Sequence, residues 1–440
     1  MPVPVSKGRG DLLGYRRPVV FHNFRRLLGS GTAKSGLSFA SSGLSFAVAN
    51  LILASALTVD DYAIFALLVA IIMLASSIGM GGADGIVNRH PVAPNPQLFG
   101  RVALTSAIVA IFAAFFAIEA YQIPASIAAL LVPIIVAFAI TRFCGAYLQS
   151  RLRLMVSLVL FNSLNYLLLA VALLSVFARL DGVALPILFI TVLQCMTAVV
   201  AVILVRSQYS ALSSSYVYSW RESLAYVFMA SSLEMLVQLE RLVTPRVLGL
   251  DDLAILGVLL AIVGPPFRLL YLTLGYDLLP ALRTSRGKAE RVALLARHSV
   301  LALLMILPLW VVIWFAAPLI QRTFLSDEYA MSGQLILAAL IAGTIKGFSG
   351  IARASVTALA SVKGMEIMGA IGWASIAFAA LAAWYGSQFG LAGVVYGVSV
   401  GWAIRLLAAP IIVVRWLDDE TFTDETIRVR TLSSDSSPDR

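Results

Sequence analysis

Apolar runs, each about as long as a bilayer is thick, recur along this chain between short polar breaks. A hydrocarbon core takes about 20 consecutive apolar residues per helix. On that spacing the pattern predicts twelve spans, at residues 35–57, 62–83, 101–119, 124–148, 156–178, 184–206, 223–247, 253–280, 296–320, 333–357, 366–386 and 391–415. Pro265 and Pro266 fall inside the eighth span, where the lost amide donors predict a kink. Polar segments frame the set. Residues 1–34 are a basic arm, in which VVFHNFRRLL (19–28) reads as a surface helix or as a disordered stretch. Residues 207–222 read as a linker between an N-lobe (35–206) and a C-lobe (223–416), and the Ser-rich, acidic 417–440 as a disordered tail. The first apolar run starts too late for a cleavable signal peptide.

One polar-then-apolar phrase is written twice. LTVDDYAIFALLVAI (57–71) and LGLDDLAILGVLLAI (248–262) share eight of fifteen residues at a constant offset of 191, including Asp60/Asp251 and Asp61/Asp252. Each copy covers the loop before an even-numbered span and the start of that span. Six spans separate them, so both point the same way. This predicts two parallel six-helix repeats related by an axis along the membrane normal. A second echo joins GAD (Gly82, Asp84) at the end of the second span to GYD (Gly275, Asp277) at the end of the eighth.

Composition agrees with a polytopic membrane protein. The chain has 440 residues, 60% hydrophobic and 12% charged, with mean hydropathy +0.92; soluble domains are about a quarter charged. The net charge of +9 follows the loops. With the N-terminus placed in the cytoplasm, 23 of the 32 Lys and Arg fall in cytoplasmic segments and only Arg179, Arg246 and Arg322 in external ones. The positive-inside bias then puts both termini in the cytoplasm. The basic balance suits anionic lipid headgroups and gives no reason to expect nucleic acid. Cys144 and Cys195 lie in apolar stretches and read as small buried residues, and His22, His90 and His298 have no ligand spacing. No metal or cofactor is expected.

Several stretches resemble bacterial polysaccharide (O-antigen-type) flippases of the multidrug/oligosaccharidyl-lipid/polysaccharide exporter superfamily. ANLILASALTVDDYAIFALLVAIIMLASSIGMGGADGIVNRH resembles their start: Asp61-Tyr62 keeps the acidic-aromatic pattern, while Ala63 replaces the usual Gly. LVQLERLVTPRVLGLDDLAIL resembles their seventh helix, with Glu240-Arg241 where Asp-Arg is common. APLIQRTFLSDEY and FGLAGVVYGVSVGWAIRLL resemble the loop after the ninth helix and the twelfth helix. The resemblance runs from about residue 30 to 416. It implies an all-α, two-lobe, V-shaped transporter of the bacterial inner membrane working by alternating access. The implied cargo is a polyprenyl-pyrophosphate-linked oligosaccharide, and a polysaccharide polymerase or glycosyltransferases are implied partners beside membrane lipids.

Ionisable residues inside spans are costly and mark candidate functional groups. The bases are Arg142, Arg241, Arg268, Lys346, Arg353 and Arg405; the clear acids are Glu234 and Glu240. Glu234, Gln238 and Arg241 share one face of the seventh span, and Gly343, Lys346, Gly350 and Arg353 one face of the tenth. The six bases are substrate-binding candidates, since Arg grips phosphate oxygens in pairs. Snorkelling is the competing reading for Arg142 and Arg353, and a structural ion pair such as Glu234–Arg268 for the deeper groups. Glu234 and Glu240 are candidates for a coupling proton or cation. Ser35, Ser38, Ser42 and Ser45 in the first span, with Asn162 and Asn165 in the fifth, read as helix-packing residues. The alternative function is a cation-coupled multidrug or small-molecule exporter of the same superfamily, which needs carboxylates in its cavity. An enzyme is disfavoured: the external loops are short, no nucleophile–His pair or HExxH occurs, and GSGTAKSG (29–36) is not a Walker A motif.

Overall fold

The computed structural model describes residues 31–89, 96–151, 153–178, 182–206, 220–285, 287–325 and 327–414. The basic arm through residue 30, with its 19–28 segment, most of the 207–222 linker and the 417–440 tail lie outside the described residues.

The doubled phrase is a helix start used twice. Thr58 caps α2 (Val59–Gly79): its side-chain oxygen accepts from the Asp61 amide at 3.2 Å and its hydroxyl donates to the Asp61 carboxylate at 2.8 Å. The second copy opens α10 (Leu250–Thr284) after Gly249, whose φ of 122° a side chain would resist. Both helices put two aspartates in the first turn, where the helix dipole favours negative charge.

Around these two lie α1 (Gly31–Ala56), the short α3 (Ala83–Arg89), α4 (Pro96–Tyr121), α5 (Ala125–Ser150), α6 (Leu154–Phe161), α7 (Ser163–Ala178) and α8 (Ala184–Arg206). The second half adds α9 (Trp220–Val247), α11 (Lys288–Phe324), α12 (Gly333–Leu359), α13 (Val362–Gly386) and α14 (Gly390–Val414). The protein is an all-helical, multi-pass membrane protein of two lobes. Its packing repeats: α1 lies on α7 as α9 lies on α13, α5 on α8 as α12 on α14, and α2 on α4 as α10 on α11. Between lobes, α1 meets α10 and α2 meets α9, a pair of contacts that exchange when the lobes are swapped.

Three local expectations are corrected. The fifth span is broken into α6 and α7, bent by 55°. The break is at Asn162, whose side-chain amide and backbone N–H both donate to the Leu158 carbonyl. The Gly82/Gly275 echo has no structural counterpart: Gly81 and Gly82 take positive φ and end α2, whereas Gly275 sits within continuous α10. The ninth span also begins earlier than its apolar core, at Lys288.

The serine stripe of the first span packs as expected. Asn165 on α7 donates to Ser42 at 2.8 Å, and the Tyr166 hydroxyl donates to the Ser38 carbonyl at 3.3 Å. These are neutral bonds that join α1 to α7 inside the N-lobe.

Candidate functional site

Where the lobes meet, they touch at both ends and leave a space between. At the end where α2 and α10 begin, Tyr62 packs on Gly257 and lies edge-on to Tyr329, and the Tyr329 hydroxyl donates to the Ala54 carbonyl at 3.0 Å. Tyr121 donates to the Leu242 carbonyl at 2.8 Å, and Arg246 to that of Ala120. At the opposite end Ser223 donates to the Gly81 carbonyl at 2.5 Å, and Gly85 abuts the Tyr226 ring.

The partly open cavity between them measures about 220 Å³, below the roughly 300–1,000 Å³ of sites that bury drug-sized ligands. The N-lobe gives it Gly43, Phe46 and Met73. Adding the repeat offset of 191 yields Glu234, Val237 and Gly264, and all three line the same cavity. The cavity therefore sits on the repeat's own axis.

Its charge comes from one side. Arg241, Arg268, Lys346 and Arg353 line it, with Glu234 and Glu240, all on α9, α10 and α12 of the C-lobe. The helical faces read from the sequence bring these together. Glu234, Gln238 and Arg241 point in from α9, while Lys346, Gly350 and Arg353 point in from α12. Gly343 and Gly350 admit a neighbouring helix: Phe267 and Tyr271 of α10 fill the spaces their side chains would occupy.

The expected Glu234–Arg268 pair is replaced by another. Lys346 Nζ donates to Glu240 Oε1 at 2.7 Å, with the Glu240 side chain 1% exposed. Glu234 instead accepts from the Gln238 amide at 3.1 Å. Buried Arg241 stacks on Phe46, its guanidinium 5.5 Å from the ring centre. Arg268 forms no ion pair among the described residues. Arg353 has no close acid there, though Asp84 of the N-lobe lies within its electrostatic range, as it does for Arg142. Two candidates fall elsewhere. Arg405 is buried inside the C-lobe, where it donates to the Ser232 hydroxyl at 2.9 Å. Arg142 lies over Phe138 in the N-lobe, 5.6 Å from the ring centre.

Sequence reasoning missed Trp402, whose ring lies 5.9 Å from Lys346 and whose Nε1 is buried without an acceptor. Nothing in the local apolar pattern separates it from a lipid-facing tryptophan. Four buried side-chain polar atoms of this cavity lack a partner among the described residues: Gln238 Oε1, Glu240 Oε2, Arg241 Nε and Trp402 Nε1. Buried polar groups are normally satisfied, so such a cluster points to a site whose missing partner is a ligand, water or proton.

No protein-family model and no curated protein matches the chain. Solved structures do. The fold is similar to that of the MATE multidrug transporter DinF-BH, at 14% identity over 95% of this chain and 99% of that one, with a TM-score of 0.60. It is also similar to the Vibrio cholerae MATE transporter VcmN, at 16% identity over 89% of this chain and 99% of that one, with a TM-score of 0.51. An outward-facing MATE transporter of the MOP superfamily matches at 16% identity over 94% of this chain and 99% of that one, with a TM-score of 0.54. The chain thus shares the two-lobe, all-helical fold of these solved transporters. The expectation of a lipid-linked oligosaccharide flippase is corrected: these neighbours are multidrug transporters. The charge argument behind it also weakens, because Lys346 is held by Glu240 and Arg142 and Arg405 are outside the cavity.

Proposed function

We propose that this protein is a cation-coupled exporter of small molecules, moving them between the two faces of the membrane by alternating access of its lobes. The observation that carries the reading is the end-to-end likeness to MATE multidrug transporters around a central cavity that contains two carboxylates. The positive-inside bias supports a cytoplasmic location for both termini in a bacterial inner membrane.

Glu240 is the stronger of the two coupling groups. One of its oxygens holds Lys346, and the other is buried with no partner. A proton on that oxygen would neutralise the carboxylate and so loosen the ion pair, which links protonation to the contact between α9 and α12. Glu234, tied only to Gln238, is the secondary candidate.

The test is dye movement in proteoliposomes under an imposed proton or sodium gradient. Wild type moves dye with the gradient. The Glu240→Gln/Lys346→Met double variant, which removes both charges together, loses gradient dependence. Retained dependence in that variant rejects Glu240 as the coupling group, and no dye movement by wild type under either gradient rejects the exporter reading.

A further inference from the structure

We infer that the molecule this cavity takes is an amphiphilic organic anion: a carboxylate, sulfonate or phosphate on an apolar body. This deepens the exporter reading and rests on it. Four bases and two acids line the cavity. Once Lys346 and Glu240 are counted as a pair, Arg241, Arg268 and Arg353 face Glu234 alone. Glu234 is already bonded to Gln238 rather than to an arginine.

Two of these arginines are placed to receive an anion. Arg268, half-buried on α10, has no ion-pair partner among the described residues, and Arg241 lies close enough for the two positive charges to repel. Arg353, exposed into the same space from α12, faces another positive charge, Arg405, behind it. Asp84, an acid within its electrostatic range, is shared with Arg142, and no ion pair joins it to Arg353 among the described residues. Like charges held close together are relieved by a counter-ion, and guanidinium forks bind carboxylate, sulfonate or phosphate oxygens in pairs. The unpartnered Arg241 Nε and Trp402 Nε1 are both donors, and both are buried at this wall. A cation placed there would meet three positive charges and two idle donors.

The rest of the wall explains the apolar body. Phe46, Met73, Leu233, Val237 and Leu260 line the same space. A molecule with a charged end and a flat apolar end matches both surfaces.

Fluorescein, an anionic xanthene dye, and rhodamine 6G, a cationic one of similar size, separate charge from shape. Binding to the purified protein in phosphatidylcholine nanodiscs is read by anisotropy, and transport in proteoliposomes. The expected result is fluorescein bound at least about tenfold more tightly than rhodamine 6G. Arg268→Gln and Arg353→Gln each weaken fluorescein about ten- to a hundredfold, Arg268→Lys recovers part of the loss, and Arg268→Glu shifts the preference toward the cation. Arg142→Gln, outside the cavity, leaves both dyes unchanged, and melting temperatures show that the variants fold. Tighter rhodamine 6G binding, binding of neither dye, or fluorescein binding indifferent to both arginines overturns the proposal. Rhodamine 6G exported while fluorescein is not would overturn the anion and leave the exporter standing. Fluorescein bound while neither dye crosses would keep the anion site and overturn the exporter. Adding phosphatidylglycerol identifies the anion's source: competition assigns it to a lipid phosphate, and unchanged dye affinity to a soluble molecule.

Discussion

On α1 the buried polar residues are neutral: Ser38, Ser42, Ser45 and Asn50. On α9, its counterpart in the second lobe, buried Glu240 and Arg241 are charged, and Glu234 lies beside the cavity. At the offset of 191 the substitutions can be paired: Gly43 answers to Glu234, and Asn50 to Arg241. Asn50 makes closed local bonds, donating to the Phe46 carbonyl at 2.8 Å and accepting from the Tyr62 hydroxyl at 3.2 Å. Arg241 in the same place leaves a donor open. One scaffold thus holds two kinds of polar group: a neutral set bonded within its own lobe, where Ser38 Oγ and Asn165 Oδ1 lack a partner among the described residues, and a charged set left partly unsatisfied at the cavity. A repeat preserves packing while each half diverges at the positions that face the axis.

The comparison is broken most forcefully at the ion pair. Glu240→Gln leaves Lys346 unpaired in a buried site, and removing one member of such a pair costs about 3–5 kcal/mol. Lys346 keeps 19% side-chain exposure, so the lower end of that range applies. Adding Lys346→Met should recover most of the loss. In the N-lobe, Asn50→Ala removes neutral bonds only and should cost about 1–2 kcal/mol. Equilibrium unfolding in detergent measures all three. Equal losses from Glu240→Gln and Asn50→Ala would erase the distinction between the lobes.

Helix contacts give the next effect. A Cβ at Gly350 would come 2.6 Å from the Tyr271 Cβ, and one at Gly343 2.5 Å from the Phe267 ring. Gly350→Ala should therefore destabilise by about 1–3 kcal/mol through overpacking. Gly100 in the N-lobe has open space around it, so Gly100→Ala should be neutral or stabilising by up to about 1 kcal/mol, as alanine favours a helix. Melting temperatures of the two variants should move in opposite directions. A smaller loss, about 1 kcal/mol, is expected for Asn165→Ala, which cuts the bond to Ser42. Its export should be unchanged once protein abundance is corrected for.

Much of this was legible from the chain. The spacing of apolar runs carries the membrane crossings, because each must bridge the same thickness of lipid: among the described residues nine spans, or ten with the bent α6–α7 pair, are long and apolar enough to cross. The doubled Asp-Asp phrase carries the repeat, because an acidic first turn is a local device that survives divergence. Helical periodicity carries the faces of α9 and α12. Pairing was not legible: Glu240 and Lys346 are 106 residues apart, and only the fold says that Lys346 reaches Glu240 and that Arg268 does not reach Glu234. Depth within a span was likewise a poor guide to the cavity. Arg405 lies mid-span yet turns into its own lobe toward Ser232, since the face of α14 that packs against α9 and α13 was not marked by any period.

The smallest effect sits at Trp402, where stability and binding should separate. Its Nε1 is buried without an acceptor, a loss that Trp402→Phe removes together with the donor. The same change weakens the contact with Lys346, 5.9 Å from the ring, since a phenyl face attracts a cation less than an indole. A donor left unsatisfied costs about 1–3 kcal/mol and the cation contact is worth about 0.5–1 kcal/mol at partly hydrated sites. The smaller phenyl ring leaves a void that costs part of what the lost donor returns. The expected sum is a stability change within about 1 kcal/mol. Binding should respond differently. If the indole N–H is held open for an anionic ligand, Trp402→Phe weakens fluorescein several-fold while the melting temperature holds. If the donor is only a packing defect, dye affinity stays unchanged. The second outcome would place the ligand's charged end wholly on the arginines of α10 and α12 and leave α14 as a supporting wall.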